Sequence, residues 1–94
     1  MSTNKTYTIR VQKDFESDEY LEMTVRELDA PIYSAARALF SRDKDIEAAK
    51  FLIENLRIGG CEASEITGDF RRLQAAIYPL TQLLTPWDGE LKKN

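Results

Sequence analysis

In two runs, residues 6 to 13 and 20 to 26, apolar residues recur at every second position, and beyond Val25 they recur at every third or fourth. That change of period restricts the chain to folds in which two strands come first and helices follow. Residues 6 to 13, TYTIRVQK, place Tyr7, Ile9 and Val11 on one face and Thr8, Arg10 and Gln12 on the other; residues 20 to 26, YLEMTVR, set Leu21, Met23 and Val25 against Glu22, Thr24 and Arg26. The two runs predict a hairpin joined by DFESDE, a connection longer than a tight turn that carries Asp14, Glu16, Asp18 and Glu19. Because an isolated hairpin is marginal in water, its apolar face must rest on helices or on the sheet of another subunit.

The helical part reads as three segments. Asp29 as N-cap and Pro31 in the first turn open a helix over about 30–41, with Ile32, Ala35, Ala36, Leu39 and Phe40 on one stripe. A second helix is expected over about 44–58, capped by Asp43. Its apolar positions, among them Ile46, Ala49, Phe51, Leu52, Leu56 and Ile58, wrap more than half the circumference, as in a helix that is central or serves a second surface. A third helix begins near Thr67 or Asp69. Phe70, Leu73, Ile77, Leu80 and Leu84 form a seam able to pack along the second helix, and Pro79 predicts a kink or an end near Tyr78. The expected class is α+β, an N-terminal β-hairpin followed by a three-helix bundle. It forms a single domain over residues 1–94, with 1–5 and 85–94 as flexible tails.

Composition narrows the function. With 43% hydrophobic and 31% charged residues the chain lies far from the disordered corner, and 94 residues bury a core small enough that a partner or a homo-oligomer could complete it. The net charge of −3 and the scattering of basic residues argue against a nucleic-acid or anionic membrane surface. No stretch approaches eighteen apolar residues, and the N-terminus has no apolar leader region, so the expected location is the cytoplasm, which also suits a lone thiol.

Four chemical readings can be weighed on their residues. Gly59-Gly60 follows a helix, where a glycine serves as a C-cap, whereas a phosphate loop places glycines between a strand and a helix. Cys61 as nucleophile would need a base or a cationic setting; the chain has no histidine, and Glu62 and Glu65 would raise the thiol pKa. The same composition leaves a metal only oxygen ligands, and the DFESD stretch lacks the sixth-position glycine and twelfth-position acid of a calcium loop. Arg71 and Arg72 could open the recognition helix of a helix-turn-helix regulator, but the preceding link is too long and acidic, and Asp69 with Arg72 reads as an i, i+3 surface pair. No cofactor is implied. Contact candidates for a protein partner are Phe51 and Ile58 on the second helix, Tyr78, and Trp87, the one tryptophan, in the tail TPWDGELKKN.

With the hairpin, the helices and the stretch DIEAAKFLIENLRIGGCEASEI in view, the chain resembles the small tail assembly chaperone-like proteins of tailed phages and prophages. The shared elements are the hairpin, an alanine-bearing helix, and an acid followed by Ala48-Ala49, Leu52, Leu56 and Gly59-Gly60, then the acidic patch Glu62 to Glu65 and a further helix. Together these cover residues 6 to 84. Cys61, where an acid is expected, Pro79 and the Trp87 tail depart from the pattern. The resemblance implies a non-enzymatic helper that binds the aggregation-prone tape-measure protein during tail assembly and keeps it soluble in the host cytoplasm. A homo-oligomeric subunit pairing through its hairpin edge is a third reading.

Overall fold

A computed structural model describes residues 5–86 and 89–93. In chain order it contains β1 (Thr6–Gln12), β2 (Tyr20–Arg26), α1 (Ala30–Ser41), α2 (Asp45–Leu56), β3 (Arg57–Gly60), α3 (Ala63–Thr67) and α4 (Phe70–Leu83). The class is α+β. The strands form one antiparallel sheet in the order β1-β2-β3, so the hairpin predicted from the period-two runs is present with a third strand added on its β2 side. Its register opposes Thr6 to Arg26 and Gln12 to Tyr20.

The period-two face does what its pattern demands. Ile9, Val11, Met23 and Val25 are buried against the helices, with α4 beneath β1 and α2 beneath β2 and β3. Each fully buried side chain of this size contributes about 1.5–3 kcal/mol of transfer free energy. The helix α2 is central: Ala48, Ala49, Leu52, Ile53 and Leu56 are all buried, and it touches α1, α3, α4 and the sheet. Ala36 of α1 is also fully buried, and α1 packs against α2, the close approach that paired alanines permit.

Asp29 caps α1 as expected: its Oδ1 accepts from the Ile32 N–H at 3.0 Å, and proline occupies the first turn. Replacing Asp29 by alanine strands that N–H and is expected to lower stability by about 1 kcal/mol, read as an earlier midpoint in urea with an unchanged slope. The predicted cap of α2 is corrected. Lys44, not Asp43, is the N-cap residue and makes no side-chain capping bond, while Asp43 takes a positive φ of 59° in the turn after α1.

Four further expectations are corrected. The second helix stops at Leu56, since Arg57–Gly60 pairs with β2 as β3, and a single short helix, α3, precedes α4; the helical part is four segments and not three. The glycine pair is therefore not a C-cap. Gly59 opposes Thr24 in the sheet, and Gly60, at φ +80°, opposes Met23 where the backbones approach closely. Pro79 does not end the last helix, which continues to Leu83 because Leu80 and Leu84 remain buried in the core beyond it. Phe70 leaves the predicted seam: it is the first residue after the cap Asp69, its Cβ leans beyond the first turn, and the side chain is 66% exposed.

Candidate functional site

The hairpin loop and the start of α4 come together into one feature. In the loop the Lys13 N–H donates to Glu19 O at 3.0 Å, Ser17 N–H to Asp14 O at 3.1 Å, and Phe15 N–H to Asp14 Oδ1 at 2.8 Å. Glu19 N–H is taken by Ser17 Oγ at 2.9 Å, and the Lys13 ammonium lies 3.4 Å from Glu19 Oε2. These bonds close the turn on polar groups and turn Phe15 outward, 79% exposed. Of the three acids whose spacing resembles the start of a calcium loop, Asp14 thereby accepts from the chain's own main chain.

On the facing side Asp69 caps α4, its Oδ1 accepting from the N–H groups of Arg71 at 2.9 Å and Arg72 at 3.3 Å. The expected Asp69–Arg72 side-chain pair gives way to another arrangement. The Arg72 guanidinium donates to Lys13 O through Nε at 3.1 Å and a terminal nitrogen at 2.7 Å, and to Glu65 O at 2.8 Å. One side chain thus ties the hairpin loop to α3 and α4. Arg71 stays outside, its guanidinium over the Phe70 ring at 5.5 Å.

Between these walls lies a cavity of about 210 Å³ lined by Lys13, Asp14, Phe15, Arg71, Arg72 and Ala75, among others. Pro79, four residues beyond Ala75, has no N–H to donate to the Ala75 carbonyl, yet α4 runs on through it. Tyr78, one turn further along α4, is 72% exposed. A wider groove of about 700 Å³ lies at the other end of α4, where Leu28, Tyr33, Leu83 and Leu84 surround Tyr7 and Glu27. The Tyr7 hydroxyl donates to Glu27 Oε2 at 2.8 Å, and that bond to a carboxylate raises the phenol pKa.

Of the residues proposed from sequence for contact, the structure exposes Ile58 and Tyr78 and half-buries Phe51 against the core. Ile58 stands 53% exposed at the irregularity where β3 slips against β2 between Thr24 and Val25. Neither cavity is lined by Phe51, Ile58 or Tyr78, so these residues are not gathered into one pocket. Trp87 lies outside the described residues. Sequence reasoning missed Phe15, for which the available signal was an aromatic standing alone among four acids in a turn; it placed Phe70 in the packing seam and Arg72 in a surface pair with Asp69.

Cys61 sits half-buried after β3, its N–H donating to Glu22 O at 2.9 Å. Burial pushes the thiol pKa up and Glu65 adds to the rise, while Arg57 and Arg72 pull the other way. A thiol above its ordinary value is a weak nucleophile. Among the described residues no cluster of three or more potential metal-binding side chains occurs, and no helix is long and apolar enough to cross a membrane. With Arg72 committed to main-chain carbonyls, a helix-turn-helix reading would rest on Arg71 alone, and the link before α4 holds a strand and a helix in place of a short turn. Comparison with known proteins gives no matching family model, no matching curated protein and no matching solved structure.

Proposed function

We propose that this chain works by covering apolar segments of another protein, as a tail assembly chaperone-like factor does for a tape-measure protein, and that it makes or breaks no covalent bond. The observation that carries the reading is the set of exposed aromatics on the hairpin loop and α4, of which Phe15 lines the cavity between them. Phe15 and Phe70 are 79% and 66% exposed, and Tyr78 continues the same helix. Aromatic rings left in water beside a cavity rimmed by arginine and lysine are what a protein-binding surface uses as anchors. Ile58 offers a second apolar contact, on β3, and Phe51 and Trp87 remain contact candidates from the sequence.

Co-expression with a tape-measure-like tail protein, a long apolar helical chain, tests this. The wild-type chain is expected to raise the soluble fraction of that protein, and Phe15→Ser combined with Tyr78→Ser to weaken the complex about tenfold or more while leaving the fold intact by circular dichroism. A tape-measure-like protein that stays insoluble beside the folded wild-type chain would overturn the assignment.

A further inference from the structure

The sheet has two edges, and only one is blunted. The edge strand β3 is four residues long, carries two glycines and slips in register between Thr24 and Val25, features that prevent a further strand from pairing. By contrast β1 is seven residues long, rich in β-branched and aromatic residues, and contains no proline or irregularity. Its open side can be read from the ladder. The bond from Lys13 N–H to Glu19 O fixes the phase, and because hydrogen-bonded and non-bonded pairs alternate, Tyr7, Ile9 and Val11 direct their main-chain groups to Val25, Met23 and Leu21. The bond from Cys61 N–H to Glu22 O has the matching parity on the far side of β2. Thr6, Thr8, Arg10 and Gln12 therefore turn four N–H and four C=O groups away from the sheet, and all four residues are exposed.

We propose that the occupant of this edge is β1 of a second copy of the chain, paired antiparallel about a two-fold axis through Ile9. The edge is self-complementary in that register and less so in its neighbours. All seven residues pair, Thr6 with Gln12 and Thr8 with Arg10 of the second copy, so that every outward main-chain group finds a partner. On the outer face the row reads Thr24, Thr8, then Arg10 and Glu22 of the second copy, with no like charges opposed. Arg10 is already held against Glu22 at 2.9 Å and over the Tyr20 ring at 4.4 Å, so the one charge on the edge is neutralised and drawn back toward β2. Shifting the axis to Arg10 sets the two arginines face to face, and shifting it to Thr8 leaves Gln12 unpaired. The one like-charged pair in the chosen register, Lys5 with Lys13, falls outside the strand, and Lys13 already has Glu19 beside it. The product is a continuous six-stranded sheet whose only remaining edges are the two blunted β3 strands.

Sedimentation velocity on the full chain, from about 5 µM to about 500 µM, tests the proposal, with a mass expected to rise from 10.8 kDa toward twice that value. Thr8→Pro removes an N–H from the outward side alone, leaves the β1–β2 bonds in place, and is expected to give a monomer throughout with an unchanged circular dichroism spectrum. A pair of charge variants reads the register without any demand on folding. Thr8→Glu faces Arg10 of the second copy and is expected to tighten the dimer about threefold to tenfold, and Thr8→Arg to weaken it by a similar factor. A wild-type chain that is monomeric across the series overturns the proposal, as does a dimer indifferent to all three substitutions.

Discussion

Replacing Gly60 by alanine is expected to lower stability by about 2–4 kcal/mol, a large part of the roughly 5–14 kcal/mol that a domain of this size possesses. Two costs combine. At φ +80° an L side chain is strained by about 1–3 kcal/mol, and the added Cβ would lie 2.4 Å from Glu22 O and 2.9 Å from Met23 Cα. Both contacts are main chain in the central strand, so relief requires β3 to move away from β2, and the bond from Cys61 N–H to Glu22 O goes with it. Gly59→Ala provides the internal comparison. Its Cβ would meet only Thr24 Cβ at 3.9 Å, an ordinary contact, and the change is expected to stay within about 0.5 kcal/mol of neutral or slightly stabilise through the unfolded chain. Urea midpoints for the two variants should therefore separate widely. Equal losses at both positions would refute the close-approach account of Gly60.

Arg72→Met is the second large effect, expected at about 1–2 kcal/mol. The substitution keeps the aliphatic stem and removes three charge-assisted bonds, two to Lys13 O and one to Glu65 O, whose partial exposure to solvent holds the cost below that of a buried set. Arg72→Lys should recover little of the loss, because a single ammonium cannot reach both carbonyls in the geometry of the guanidinium fork. Hydrogen exchange gives the sharper measurement. Amides of the loop around Lys13 should exchange faster in both variants, while those of α2, remote from the contact, follow only the global change. Uniform acceleration along the chain would mean that Arg72 acts through the core and not as a tie between loop and helices.

How much of this was legible in advance follows from where each element's stability comes from. The hairpin, α1 and the seam of α4 carry their own signals, since Ile9, Val11, Met23 and Val25, or Leu73, Leu80 and Leu84, are spaced by the element's own period. The strand β3 has no such signal. With Ile58 as its one large apolar side chain and two glycines in four residues, it is a strand because β2 offers an open edge, a tertiary fact invisible at residues 57–60. The sequence places the left-handed conformation at Gly59, as a helix cap, whereas the structure places it one residue on, at Gly60, where the strand approaches β2. The short α3 did leave a mark: Glu65 accepts from the Glu62 N–H at 3.0 Å, half of a capping box, in a stretch read only as an acidic patch. The cavity between Phe15 and Ala75 joins residues sixty apart in the chain and could not be seen from either segment alone.

The strand order has a consequence for synthesis on the ribosome. Strands β1 and β2 are neighbours in the chain and can zip together as soon as both have emerged, but the third member of the sheet arrives only after two complete helices. For that interval the nascent polypeptide carries raw main chain along β2 as well as β1, and it is most open to wrong pairing with other emerging chains. The four residues from Arg57 to Gly60 end the exposure of β2, so the shortest strand of the sheet governs how long the central strand of the newborn protein stays adhesive.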